Sequence, residues 1–360
     1  MTVCARITRL SLTRFRNHAA SVMAPGDADV VLLTGDNGAG KTNVLEALSL
    51  LAVGRGLRGA ALSDMAQAGG GGGFAVAAAL GETLLGTGTA PAAPERRALR
   101  VNGAAAPLGT LNEWLALSWL TPAMDRLFVD AASARRRFLD RLTLPLRAEH
   151  ATHASRYEAA MRARTRLLTE ETAPDGDWLA ALEAAMAAHG VALHAARVET
   201  VSALDRALDA AGEGDFPLPK LALSGWEAAD EVDFAAALRR ARGVDAAAGR
   251  ATVGPHRTDL SVVHGGKGVA AAQASTGEQK ALLSAIILAH AELVAARRGA
   301  TPILLLDEAT AHLDARRRAA LFARLARLGA QSWVTGTDAA LFDGVVAARF
   351  RVAGGAVQAA

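Results

Sequence analysis

The chain is poor in the features that mark secreted or membrane proteins. Its one cysteine, Cys4, excludes an internal disulfide. The opening MTVCARITRL lacks the apolar core of a secretion signal. No run reaches the ~18 uncharged apolar residues of a membrane span, and the segment 285–296 is broken by His290 and Glu292. These absences lead to the expectation of a cytoplasmic protein with no membrane contact. Aromatic residues make up only 4% of the chain while alanine and glycine dominate, which fits thin, closely packed helices and many turns. What is present is a 51% apolar fraction over 360 residues, enough for a large core in one big domain or two moderate ones. The net charge of +3 permits a nucleic-acid partner without requiring one, so the placement of arginines has to carry that question.

Strand texture opens the chain: RITRLSLTRF alternates, and DVVLLT is a buried apolar run ending at a glycine-rich turn, followed by NVLEALSLLA with helical spacing. The run GGGGG at 69–73, then FAVAAAL and ALRVNG, reads as hairpins joined by a solvated turn. From about residue 134 the texture becomes helical. Tyr157, Met161 and Leu168 share a face, and after the break APDGD a second helix carries Trp178, Leu182, Met186, Leu193, Val201, Leu204 and Leu208. Two helices of about 25 residues make an arm roughly 38 Å long. Strands resume at FPLPKLALSGW, GPHRTDLSVV, PILLLDE and SWVTGT. Alternation at both ends of the chain predicts an α/β fold assembled from 1–133 and 216–360, with a helical arm inserted at 134–215.

GDNGAGKT, Gly35 to Thr42, matches G-x-x-x-x-G-K-[ST] between an apolar strand and a helix, the context that gives the pattern its meaning. Gly35, Asp36, Asn37, Gly38, Ala39, Gly40, Lys41, Thr42 and the following Asn43 are the candidate nucleotide-binding residues. Backbone N–H groups would close around phosphates, Lys41 would neutralise the β and γ oxygens, and the Thr42 hydroxyl would ligate Mg²⁺. PILLLDE brings Asp307 to a strand end, where it can hold the same ion, with Glu308 beside it to polarise a water. The competing reading makes Glu308 a surface carboxylate capping the next turn.

ASTGEQK, residues 274–280, resembles the S-x-G-x-Q signature of ATP-binding-cassette ATPases. The resemblance implies that Ser275, Gly277 and Gln279, at a helix start, complete the γ-phosphate site of a second copy. The same residues also read as a serine-capped helix with Glu278 closing a capping box, and both readings can hold together. HLD, His312 to Asp314, follows at the distance of the superfamily's D-loop, and in TGTD Thr337 takes the place of the usual switch histidine. Within this superfamily of SMC/Rad50-like ATPases the chain resembles the RecF family over nearly its whole length: LTRFRNH, NVLEALSLLAVGRGLR, ARRRFLDRL, HGVALHAAR and GPHRTDL each match a family segment. It departs in carrying Glu308 where many relatives have a second aspartate, and in its glycine pentad.

The resemblance implies a cassette-type head of mixed sheets bearing a helical arm. It implies a protein that binds ATP and Mg²⁺, forms a homodimer on ATP, hydrolyses it slowly with Glu308, Lys41 and Asp307, engages gapped or single-strand/double-strand junction DNA, and works with RecO and RecR to load RecA. Arg14, Arg16, Arg55 and Arg58, and Arg135, Arg136 and Arg141 at the entry to the arm, are candidate phosphate contacts. Each is equally readable as a solvated helix face. Two other classes share the motifs: the energy-coupling ATPase of a transporter, disfavoured by the long separation between GDNGAGKT and PILLLDE, and a module that uses ATP as a clamp and hardly hydrolyses it.

Overall fold

The computed structural model describes residues 3–4, 6–170, 175–212, 214–228, 230–311 and 313–360. The chain forms two compact units, Met1–Asp125 with Ile287–Ala360, and Arg126–Ile286. The first expected boundary, 133/134, lies close to this division. The second, 215/216, does not coincide with it, because the strands Pro219–Ser224, Asp259–His264 and Val269–Ala270 pair with one another in a separate sheet.

In the first unit a six-stranded sheet has the order 356–359, 348–353, 30–34, 332–336, 303–306, 117–120, so strands from both chain ends interleave. All neighbours are parallel except the terminal hairpin. Central parallel strands are covered on both faces and therefore need apolar residues at every position. VVLL of 30–33 and ILLL of 303–306 supply them and are buried throughout. The second sheet is antiparallel, ordered 18–23, 9–15, 74–80, 83–90, 93–101, 104–106. Its strand Arg9–Phe15 alternates, with Leu10 and Leu12 buried and Thr13 exposed, as a half-covered sheet dictates. The glycine pentad forms the turn before Phe74, and the Arg14 guanidinium donates to Gly70 O at 3.1 Å.

The second unit holds the expected helical pair, as His150–Thr169 and the longer Gly176–Ala211. A third helix, Glu231–Ala248, packs on both. Tyr157, Met186, Leu193, Trp226, Phe234 and Leu238 form the core of this cluster. Close approach depends on Gly190, where a Cβ would lie 2.6 Å from the Phe234 ring. Leu167 is buried where Leu168 is only half-buried, and Trp178, in the first turn after the APDGD break, is exposed. By length and composition alone, Gly176–Ala211 and Thr276–Arg298 could cross a membrane. The second of them is mostly buried within the protein, and the first carries buried Glu183 and Arg197.

Charge fastens the three helices together. Buried Arg164 donates to Glu183 at 3.0 Å, to Asp245 at 2.6 Å and to Leu238 O at 2.7 Å. Arg242 closes on Glu183 from the solvent side at 2.6 Å and 2.9 Å. Removing one partner from a buried ion pair strands the others without solvent, which costs about 3–5 kcal/mol. Arg164→Ala should therefore destabilise the arm by that amount in urea unfolding, whereas loss of the part-exposed Arg242 should cost about 1 kcal/mol or less. Equal, small losses for both would contradict the network's role.

Candidate nucleotide site

The strand Val30–Thr34 delivers the chain into the loop 35–40, and the helix Lys41–Ser49 begins directly after it. Glycine is required at two points. Gly35 has φ 152° and a Cβ there would lie 2.1 Å from Val352 O. Gly40 has φ 116°, with Asn17 and His18 within 2.8 Å of the corresponding position. Those two side chains hold the loop from below: Asn17 Nδ2 donates to Ala39 O at 3.0 Å, Asn43 Nδ2 donates to Asn17 Oδ1 at 2.8 Å, and the buried His18 ring meets Gly40 O at 3.1 Å. Burial holds the His18 imidazole below its usual pKa, so the neutral ring donates Nε2–H to that carbonyl. Asp36, Asn37 and Gly38 are exposed at the loop's tip, while Ala39 and Gly40 are buried.

Lys41 folds back across the loop, donating to Gly35 O at 2.7 Å and Asp36 O at 2.9 Å. Thr42 Oγ1 donates to the Asp307 carboxylate, 2.9 Å from Oδ1 and 3.1 Å from Oδ2. Sequence reasoning named both residues of that pair but missed a third: buried Thr335, whose hydroxyl donates to Asp307 Oδ1 at 2.8 Å and accepts the Glu308 N–H at 2.9 Å. Its signal lay in strand register, which a motif search does not read. Glu308 is half-buried with φ 48°, and Thr337 is exposed.

The signature residues open the helix Thr276–Arg298, within which the chain passes from the second unit to the first. The capping box is formed: Ser275 N and Oγ donate to Glu278 Oε2 at 3.1 Å and 3.0 Å, and Glu278 N approaches Ser275 Oγ at 3.4 Å. Lys267, 2.6 Å away, and the Ser275 donors hold the Glu278 carboxyl down to about 2. Ser275 stays exposed, Gly277 is half-buried, and buried Gln279 donates to Ala274 O at 2.9 Å. Asp314 is exposed and caps Ala315–Leu328 by accepting from Arg317 N at 2.8 Å. His312 lies outside the described residues.

The candidate DNA-binding arginines divide. Arg16 grips buried Glu46 with two bonds, at 2.7 Å and 2.8 Å, and Arg58 reaches the same carboxylate at 2.7 Å and Asn43 at 2.8 Å. Arg135 makes a two-point pair with Asp259 at 2.7 Å and 2.8 Å. Arg136 donates to Thr258 O at 3.0 Å, and half-buried Arg141 lies 5.2 Å from the Phe138 ring, its pKa pulled down to about 9 by burial. These five have structural duties that their sequence positions did not reveal. Arg58 is nonetheless exposed, as are Arg55 and Arg14, whose guanidinium makes the bond to Gly70 O described above.

The fold and the phosphate loop define an ATPase head of the ATP-binding-cassette class. A family model described as RecF/RecN/SMC N terminal domain matches residues 6–352. The chain is 49% identical over 358 residues to the DNA replication and repair protein RecF of Mesorhizobium japonicum, covering 94% of this chain and 93% of that protein. It is 48% identical over 368 residues to the RecF of Rhizobium johnstonii, covering 98% of each. The chain belongs to the RecF family of DNA replication and repair proteins. Among solved structures, the recombination mediator protein RecF-ATPrS superposes with a TM-score of 0.86 at 22% identity over 99% of both chains. The Smc head domain with an extended coiled coil from Pyrococcus furiosus gives 0.54 at 16% identity, over 98% of this chain and 95% of that one. At these identities the two structures speak to the fold alone.

Proposed function

We propose that two copies of this chain close on ATP and magnesium, using the nucleotide as a slowly hydrolysed clamp on gapped or junction DNA during repair and replication. The Thr42–Asp307 contact carries this reading, because it pairs one hydroxyl with one carboxylate beside a phosphate loop. Magnesium favours oxygen ligands and completes its shell with water and phosphate, and this donor set fits it. Bound there, the ion would neutralise charge on the β and γ phosphates. Lys41 and the loop N–H groups bind the same oxygens, Asp307 holds its carboxylate toward them, and Glu308 takes the proton of the attacking water as ADP and phosphate separate. Exposed Ser275 and half-buried Gly277 supply the facing wall of the partner copy's site, and Asp314 lies at the proposed seam. Relatives named as DNA replication and repair proteins support the DNA reading. One structural neighbour is a recombination mediator protein RecF of the RecFOR pathway; RecO and RecR as partners, RecA loading as the outcome and a cytoplasmic setting belong to this proposal.

If the site is shared, Ser275→Arg places a bulky cation where the partner's γ-phosphate must sit and leaves the mutant's own Lys41 loop intact. The variant should bind ATP with near-parental affinity, show no ATP-induced dimer in sedimentation, and lose hydrolysis. An intact nucleotide-dependent dimer, with only about 1 kcal/mol of lost stability, would reduce Ser275 to a helix cap.

For DNA, the structure shifts the choice of arginines. Replacing Arg14 and Arg55 with alanine should flatten the salt dependence of duplex binding by about 0.9 units of slope per lost phosphate contact. Arg135→Ala should instead lower the unfolding midpoint. An unchanged slope for the Arg14 and Arg55 variant would make those side chains solvated faces.

A further inference from the structure

The strand Ser332–Gly336 runs parallel to Ile303–Leu306, with Leu306 opposite Val334. One residue further, Thr335 comes beside Asp307, the first residue past its strand. The Thr335 side chain is completely buried, and its hydroxyl lies 2.8 Å from Asp307 Oδ1 and 2.9 Å from the Glu308 amide nitrogen. An amide can only donate, so the threonine oxygen accepts from Glu308 and its own proton must point at Asp307. Asp307 thus receives two hydroxyl protons, from Thr335 and Thr42, an arrangement that fixes its rotamer. At Glu308 the same hydroxyl anchors a backbone with φ 48°, a region that residues other than glycine rarely enter. Where the backbone twists there decides where the glutamate side chain points.

We propose that Thr335 is a positioning residue of the nucleotide site, its one hydroxyl setting both the rotamer of the metal-holding aspartate and the aim of the adjacent glutamate. This rests on the roles given above to Asp307 and Glu308. It assigns the strand-end function to a residue two positions before exposed Thr337, which occupies the switch position in the sequence. The side chain's chemistry is specific. Valine has the same shape without the hydroxyl, and serine keeps the hydroxyl but loses the stiffness of the β-branch. Outer partners of metal-holding groups commonly contribute about 10–100-fold to metal affinity or activity.

The test compares Thr335→Val and Thr335→Ser with the parent in two measurements. In the nucleotide-free protein, hydrogen exchange over residues 303–311 should accelerate about tenfold in the valine variant and return to the parental rate with serine. In steady-state ATP hydrolysis, kcat of the valine variant should fall about 10–100-fold. Its KM should stay within about threefold, because the Lys41 loop is untouched. Parental exchange and turnover in Thr335→Val overturn the proposal. So does failure of serine to restore either measurement while its unfolding midpoint equals the parent's. Glu308→Gln separates this from the reading beneath it: parental turnover in that variant removes Glu308 as the base, and the exchange measurement then judges Thr335 alone. Slow turnover in Glu308→Gln beside a parental Thr335→Val leaves the base in place and removes Thr335.

Discussion

Everything at the nucleotide site depends on a hydrogen bond between residues 265 positions apart, from the Thr42 hydroxyl to the Asp307 carboxylate. For that bond to form, the strand 30–34 must end in a glycine turn and the strand 303–306 must end in an acid. Both must flank the strand 332–336 in one parallel sheet. Register decides the contact: sliding either strand by one residue would turn its side-chain set over and carry its terminal residue away from its partner. The intervening chain adds little to the cost of closure, since each doubling of loop length costs only about 0.6 kcal/mol. An entire compact unit, Arg126–Ile286, can therefore be inserted without disturbing the site.

What was legible in the sequence follows from how local each signal is. GDNGAGKT carries its glycines, lysine and threonine within one turn, and PILLLDE announces both its burial and its terminal acid, so both were readable without knowledge of the fold. The strands at 219–224 and 259–264 were readable as strands but not as members of their own sheet, because β texture says nothing about pairing partners. The arginines were the least legible. Arg135 is separated by 124 positions from the Asp259 that claims it, and Arg16 by 30 from Glu46. A charge seen in isolation reads as solvated or as a ligand contact, and only the fold shows the carboxylate opposite. Thr335 was missed for the same reason, since its role exists only where two parallel strands end side by side.

The arm shows how a chain with few aromatics builds a rigid helical unit. Its core gathers Tyr157, Trp226 and Phe234 into one cluster. Gly190 lets Gly176–Ala211 approach Phe234 closely, and the Tyr157 hydroxyl reaches His256 Nδ1 at 2.7 Å. Buried arginines then take over work that larger apolar side chains do elsewhere: Arg164 spans three helices, and Arg197 holds Asp140 with bonds of 2.8 Å and 2.9 Å. Such networks are demanding, because every polar atom they bury must be paired. Fully satisfied, they specify one packing of the core.

The central claim is that Thr42 and Asp307 together hold a divalent cation against the nucleotide. Manganese, which takes the same oxygen ligands and is visible to electron paramagnetic resonance, tests it directly. Titrated with Mn²⁺ in the presence of a non-hydrolysable ATP analogue, the parent should show tight, nucleotide-dependent manganese binding, and Asp307→Ala should lose it while still binding the analogue through Lys41. Manganese bound by Asp307→Ala with parental affinity would contradict the claim and place the cation elsewhere.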